Sequence, residues 1–287
     1  MMTDRYSYKV SIKSKLSDEL INTYLLRPLA GLFVRALFHT PVTPNNVTVA
    51  SIAAGFAAAV CYWQNELQIA GVLITLKDLL DSADGQLARA KNQFSRKGRF
   101  LDSIGDFVVD LAVFAAIGVA LFQKTGDLLA FFWTFLGFAG ITLRVSYHVF
   151  YQVSYLHLEG RYRENRIIED VTEVDRQGDR VTLRLHRVFV AIYGWQDRLM
   201  ARIDRWCGGG QMDESFRQRW YGDEHALRLS GLLGFGTELF LLMVCSVLDA
   251  LEFYLFINIV VMNGVLAMSI GYRRWVLQRR LTPGGSS

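Results

Sequence analysis

Between Asp81 and Asp106 the chain reads DSADGQLARAKNQFSRKGRFLDSIGD, four aspartates at regular spacing inside sequence that otherwise has the character of a membrane protein. A charged side chain at the centre of a bilayer costs about 3 kcal/mol or more, so such residues face a cavity or another charge and usually mark a functional site. Four of one sign, two on each of two segments, repel one another unless cations share the site.

The membrane character rests on composition and on segment length. Of 287 residues 52% are hydrophobic, and there are 19 Phe but only 4 Pro. Apolar stretches of about 20 residues, enough to span a bilayer, lie near 45–63, 67–89, 100–122, 128–155, 228–248 and 251–272. The second is cleanly apolar only from Leu67 to Leu76, before Lys77, Asp78, Asp81 and Asp84 intervene. A hydropathy window passes over it, yet its polar residues share one helical face while Leu79, Leu80 and Leu87 lie elsewhere. The connections Gln64–Glu66, Gln123–Asp127 and Asp249–Glu252 hold one lysine, Lys124. Arg89, Lys91, Arg96, Lys97, Arg99, the Arg-rich stretch after Leu156, and Arg273, Arg274, Arg279 and Arg280 all fall on the other side. The bias of Lys and Arg toward the cytoplasm therefore predicts an all-α, polytopic membrane protein of six transmembrane helices, with both termini in the cytoplasm. The opening MMTDRYSYKVSIKSKLSDEL is too polar for a secretory signal. Cys61, Cys207 and Cys245 are too scattered for a disulfide framework or a zinc site.

Four regions follow: a cytoplasmic N-terminus with an interfacial helix (1–40), four spans with the acidic motif (41–156), a cytoplasmic insert (157–226), and two spans with a basic tail (227–287). The interfacial helix, Ser17–Phe38, opens on a Ser cap with Asp18 and Glu19 in its first turn and places Leu20, Tyr24, Leu25, Leu32 and Phe33 at helical spacing. In the insert, Leu185, Val188, Phe189, Ile192, Trp195, Leu199, Ile203 and Trp206 recur at three and four, with Arg184, Arg187, Arg198 and Arg202 off that face. Such a helix lies on an anionic membrane surface or packs against its own protein; Cys207-Gly-Gly-Gly ends it.

An α-helix advances about 100° and 1.5 Å per residue, which sets Asp81 and Asp84 roughly 60° apart on one face and Asp102 and Asp106 roughly 40° apart on theirs. With Arg89 and Arg99 at the cytoplasmic boundary, Asp81 lies roughly 12 Å deep and Asp106 roughly 10 Å deep. A short loop makes the two helices antiparallel neighbours, so the carboxylates face each other. Gly85 and Ala88, near the Asp81 line, let a helix or a flat ligand approach the backbone. Oxygen ligands of this kind suit Mg²⁺ or Mn²⁺, which share their shells with substrate phosphates. Two such ions about 4 Å apart stabilise displacement at phosphorus.

The string Asp81-x2-Asp84-Gly85-x2-Ala88-Arg89-x8-Gly98-x3-Asp102-x3-Asp106 resembles the signature of the CDP-alcohol phosphatidyltransferase family at every defining position. The segment Thr40-Pro41-Val42-Thr43-Pro44-Asn45-Asn46-Val47-Thr48 resembles the opening of that family's first span. The resemblance covers roughly 20–155; the insert at 157–226 is longer than the compact members have, and the last two spans match only in kind. It implies a six-span membrane enzyme of phospholipid synthesis that transfers a substituted phosphate from a CDP-linked donor, CDP-diacylglycerol foremost, to an alcohol, with release of CMP. By the same resemblance Asp81, Asp84 and Asp102 bind two Mg²⁺ or Mn²⁺ ions, with Asp106 sharing one and acting as general base. Gly85 and Ala88 give cytidine room, Arg89 and Gly98 shape the phosphate end, the partners are lipid and a CDP-linked substrate rather than nucleic acid, and the assembly is a homodimer. A CDP-choline or CDP-ethanolamine donor acting on diacylglycerol is the alternative within the family.

Rival readings explain less. Ion pairing of the four aspartates is short of cations, because only Lys77, Arg89, Lys91, Arg96, Lys97 and Arg99 lie within ten residues and most of these sit at the surface. A cation or proton transporter uses intramembrane acids but leaves Gly85, Ala88, Arg89 and Gly98 unexplained. A prenyltransferase that binds prenyl diphosphate through Mg²⁺ keeps its two acidic motifs far apart, whereas Asp84 and Asp102 are 18 residues apart. Outside the signature, Lys77 and Asp110 continue the two facing stripes inward at similar depth, which predicts a Lys77–Asp110 ion pair beneath the metal site with Asp78 nearby. Arg144, in the cytoplasmic half of the fourth span, is the candidate acceptor-binding residue, suited to a phosphorylated acceptor, or else it snorkels to the headgroups. His148 and His157 have no ligand-like spacing and are read as structural.

Overall fold

A computed structural model describes residue 19 and residues 21–160, 169–172, 179–209 and 213–281. Among these residues every regular element is helical. Helix α1 winds through Asn22–Leu26 and Arg27–Leu37, and α2 (Pro44–Trp63), α3 (Leu67–Lys91), α4 (Arg96–Thr125) and α5 (Leu129–Leu158) follow. The insert supplies α6 (Arg180–Cys207) and α7 (Glu214–Tyr221). Helices α8 (Glu224–Gly231) and α9 (Phe235–Val247) precede a final run, α10, from Leu251–Phe256 through to Gln278–Leu281. Ser17 and Asp18, expected to open the interfacial helix, lie outside the described residues.

Five helical segments are long and apolar enough to cross a membrane: Pro44–Trp63, Arg96–Thr125, Leu129–Leu158, Glu224–Val247 and Leu251–Leu281. Helix α3 is long enough, but its charged second half keeps it out of that set.

The boundaries around the acidic stretch follow from local chemistry. Thr43 caps α2 in a capping box, accepting from Asn46 N at 3.3 Å while its own N donates to Asn46 Oδ1 at 3.0 Å, with Pro44 at the first helical position. Asn92 ends α3 in the left-handed region, φ 52°. Ser95 then caps α4, accepting from Gly98 N at 2.9 Å. The chain therefore reverses within four residues, which is why the two aspartate-bearing helices are antiparallel neighbours.

An apolar core fills the space between α2, α3, α4, α5, α9 and the start of α10, around Tyr62, Ile74, Val109, Ile117, Ile141, Leu242 and Tyr254. A second core joins α5, α6, α7 and the end of α10 around Tyr147, Tyr151, Met200, Trp220 and Leu277. Asp204, buried in that second core, accepts from Tyr151 Oη at 3.0 Å, Trp220 Nε1 at 2.8 Å and Tyr221 Oη at 2.8 Å. Three donors are what a buried carboxylate needs.

The insert helix packs on its own protein, resting on α4 and α5. Its buried residues are His186, Gly194, Gln196, Met200, Asp204 and Cys207, so the inward face is rotated from the apolar stripe that periodicity marks. Val188, Trp195 and Trp206 stay exposed. The rotation has a cause: buried polar side chains supply the docking, with Tyr193 Oη donating to Ser103 O at 2.7 Å and Ser146 Oγ donating to Gln196 Oε1.

Arg144 is fully buried and committed to protein partners. Its Nε donates to Glu238 Oε1 at 2.6 Å, its Nη2 lies 2.5 Å from the same oxygen, and its Nη1 donates to Asn263 Oδ1 at 2.9 Å. Asn258 Nδ2 donates to Glu238 Oε2 at 3.1 Å, completing a polar clasp between α5, α9 and α10. Glu238→Leu alone should cost about 3–5 kcal/mol, because it strands a buried guanidinium. Adding Arg144→Met should recover most of the loss, read as the thermal midpoint of the purified protein in detergent.

Candidate active site

Helices α3 and α4 bring Asp81, Asp102 and Asp106 together, each offering one carboxylate oxygen within 4.8 Å of the others. Asp84, one turn beyond Asp81, is buried and accepts a hydrogen bond from the hydroxyl of Thr48 on α2. That bond holds α2 against the acidic face and fixes the Asp84 rotamer. Three carboxylate oxygens at this spacing, facing one cavity, match the donor set that Mg²⁺ and Mn²⁺ prefer.

Lys77 is where the structure departs from expectation. Its Nζ lies 2.5 Å from Asp106 Oδ1, with the side chain fully buried, and 4.3 Å from the centre of the Phe235 ring. Asp110 falls outside ion-pair distance of it. Counting rise per residue matched the backbone levels of Lys77 and Asp110, but a lysine stem of four carbons spans about one helical turn, so reach rather than level selects the partner.

The two signature glycines differ in kind. A Cβ on Gly98 would lie 2.5 Å from Asn45 Oδ1 and 2.7 Å from Ser95 Oγ, so its lack of a side chain lets the start of α2 meet the capped start of α4. A Cβ on Gly85 would meet only the guanidinium of Arg89, at 3.4 Å. Ala88 and Arg89 follow on the same helix, both half-buried.

Asp81, Asp102 and Asp106 open into a cavity of about 420 Å³, which Asp84 does not line. Asp78 and Asp110 line its inner part, and α5 contributes Thr142, Ser146, His148 and Gln152. Arg144 does not line it; its commitment to Glu238 and Asn263 replaces the expected acceptor-binding role with a structural one. His148, read as structural, does line it, and its Nε2 lies 4.0 Å from Glu19 Oε1.

The sequence reading missed the wall supplied by the insert, where Glu169, Phe189, Tyr193 and Asp197 face the cavity. Arg99 Nη1 and Nη2 donate to Glu169 Oε1 and Oε2 at 2.7 and 2.6 Å, tying this wall to the start of α4. Burial and then the neighbouring Glu169 carboxylate push Asp197 up to about 7. No local motif marks these residues; the only signal was that the insert is too long to be a plain connection.

The pattern of the CDP-alcohol phosphatidyltransferase family matches residues 41–159, the stretch that holds α2 to α5 and every signature residue. A curated relative, the phosphatidylinositol phosphate synthase of Cutibacterium acnes, is 30% identical over 188 residues, covering 64% of this chain and 79% of that protein. The chain belongs to the CDP-alcohol phosphatidyltransferase family. Within it, the bifunctional IPC transferase and DIPP synthase of Aquifex aeolicus is 32% identical over 144 residues, 50% of this chain and 32% of that one. The archaetidylinositol phosphate synthase of Pyrococcus horikoshii is 36% identical over 107 residues, 37% of this chain and 53% of that one. The chain spans only 20–32% of the length of the bifunctional relatives it matches.

The geometry separates the two glycines by stability. Gly98→Ala should cost about 1–2 kcal/mol through the lost cap and the displaced Asn45. Gly85→Ala should be neutral or stabilising by about 0.5–1 kcal/mol, since alanine is the better helix former and the neighbouring guanidinium can move. Thermal melts of the two variants in the same detergent check the contrast.

Proposed function

We propose that this protein is an integral membrane transferase of phospholipid biosynthesis. It moves a substituted phosphate group from a CDP-linked donor, CDP-diacylglycerol, to the hydroxyl of an alcohol acceptor and releases CMP. The observation that carries the reading is the convergence of Asp81, Asp102 and Asp106 from two antiparallel helices onto one cavity, in a chain of this family.

The membrane arrangement has six spans, with α3 as the sixth. Its first half exposes Ile69, Val72 and Leu76, while Lys77, Asp78 and Asp84 are buried in the protein. Lipid on one side and a polar cavity on the other is how an intramembrane helix tolerates charge. The bias of Lys and Arg in the connections puts the active site and both termini in the cytoplasm. The likeness to the family supports a homodimer.

Asp81, Asp84 and Asp102 hold two divalent cations, Mg²⁺ or Mn²⁺, with Asp106 sharing one. When bound, these ions supply the positive charge that neutralises the diphosphate and the departing CMP. Gly85 and Ala88 leave a flat strip of α3 for cytidine, and Arg89 borders the phosphates. Gly98 acts by keeping the starts of α2 and α4 in contact, which positions Thr48 on Asp84. Asp106 takes the proton of the acceptor hydroxyl. The acceptor oxygen forms a bond to the lipid-bearing phosphorus, and the bond to the bridging oxygen breaks, its electron pair leaving with CMP. Lys77 counters part of the charge that gathers at Asp106, so the base is held in place before substrate arrives.

Purified protein with Mn²⁺, CDP-diacylglycerol and single candidate acceptors should release CMP. Uptake of a cation by proteoliposomes, with no CMP from any acceptor or from diacylglycerol with CDP-alcohols, would sink the reading in favour of transport. Asp106→Asn should keep CDP binding and lower turnover by at least about 100-fold, the scale of a lost general base. Gly85→Ala should keep its fold and lose CDP affinity, read by calorimetry.

A further inference from the structure

The inner and insert-side walls of the cavity are rich in carboxylate and poor in available positive charge. Asp78 is 4% exposed, faces the cavity, and makes no hydrogen bond or ion pair with any described residue. Asp110 also faces the cavity and is likewise without either. Asp197 and Glu169 stand on the insert side. The cations nearby are engaged: Lys77 by Asp106 and Arg99 through both terminal nitrogens by Glu169. Arg27 also lines the cavity, but its carbonyl accepts from Gln86 Nε2 at 3.1 Å. Gln86 sits eight residues, about 12 Å of helix, nearer the mouth than Asp78. The backbone of Arg27 is therefore anchored toward the outer end.

We propose that the acceptor's distal end is a hydrogen-bond donor without phosphate, seated against Asp78, Asp110 and Asp197, so that the acceptor is an unphosphorylated polyol or amino alcohol. This rests on the transferase reading of the same site. Carboxylates that line a cavity without a hydrogen-bond partner, Asp78 buried and Asp110 and Asp197 half-buried, are acceptors in need of donors, and hydroxyl or ammonium groups supply them. A phosphate in that place would put like charges together at low dielectric. A site built from such unpaired acceptors rejects ligands that cannot donate. The products named for the relatives, phosphatidylinositol phosphate and archaetidylinositol phosphate, carry a phosphate on the headgroup; the walls described here favour the acceptor without one.

The test uses the full chain in lipid nanodiscs with Mn²⁺ and CDP-diacylglycerol, measuring CMP. Inositol is set against inositol phosphate and glycerol against glycerol phosphate, with serine and ethanolamine as the amino arms. The expected result is turnover of at least one unphosphorylated acceptor, with no phosphorylated compound coming within about 100-fold of it in kcat/KM. The polyol and amino arms identify which donor the site takes. Preference for a phosphorylated acceptor overturns the inference and leaves the transferase standing. CMP released only when diacylglycerol meets a CDP-alcohol also overturns it. No CMP from any combination removes the transferase reading and the inference together. Asp78→Asn should raise the acceptor KM about tenfold and leave the KM for CDP-diacylglycerol unchanged. Because Asp78 is buried, Asp197→Lys on the half-buried insert wall is the second variant. It should shift the rate ratio toward the phosphorylated acceptor by about tenfold, and an unchanged ratio overturns the proposal.

Discussion

Mutual repulsion of carboxylates at membrane depth is the constraint on which this structure depends. Asp81, Asp102 and Asp106 converge, with Asp78, Asp84 and Asp110 on the same two helices, and at low dielectric such charges push α3 and α4 apart. The fold answers at three levels. A four-residue reversal between Asn92 and Ser95 prevents the helices from separating at that end. Lys77 and Thr48 supply one cation and one hydroxyl directly to the acids. Below them an apolar core around Ile74, Val109 and Ile117 clamps the outer halves of the helices.

The clamp is reinforced by polar contacts at places where apolar packing alone would allow the helices to slide. The Arg144–Glu238 pair with Asn258 and Asn263 ties α5 to α9 and α10, and Tyr62 shares a 2.6 Å hydrogen bond with Ser246 between α2 and α9. In a bilayer lipid is as apolar as leucine, so directional bonds give helix register that burial cannot. Arg144, Glu238, Tyr62 and Ser246 are buried and bonded to protein partners. Asp78 is also buried yet makes no such bond, and this difference in satisfaction separates scaffold from site.

What the sequence disclosed depended on how local the information was. The paired aspartates lie within 26 residues and fall on two helices whose geometry is set by spacing alone, so the convergence of Asp81, Asp102 and Asp106 was readable, whereas the turn of Asp84 toward Thr48 was not. Readable too was α3 as one long helix, whose charges defeat a hydropathy average. The partner of Arg144 was not readable, because Glu238 lies 94 residues away and nothing local links them. Lys77 was placed at the right depth, but its close contact is with Asp106 rather than the expected Asp110, since side-chain reach is invisible to a count of residues. The face of α6 was misjudged for a related reason: its docking uses Gln196, Asp204 and Tyr193, which an apolar periodicity leaves out.

The division of the cavity between two parts of the chain has a consequence for specificity. The residues that match the family, 41–159, hold every aspartate of the signature, together with Gly85, Ala88, Arg89 and Gly98. These are groups suited to a nucleotide diphosphate, the part of the chemistry that does not change with the acceptor. Glu19, Asn22, Arg27, Glu169, Phe189, Tyr193, Asp197 and Phe235 line the same cavity from outside that stretch. Walls drawn from the first helix, the insert and α9 meet the cradle through contacts such as Arg27 O with Gln86, Tyr193 with Ser103 O, Gln196 with Ser146, Glu169 with Arg99 and Phe235 with Lys77, none of which involves the carboxylates of Asp81, Asp84 or Asp102. One catalytic core can then serve different alcohols by changing its far wall. In this chain that wall carries Glu19, Glu169 and Asp197 beside Arg27, so under the proposed transferase reading the acceptor is to be read from residues outside the stretch that matches the family.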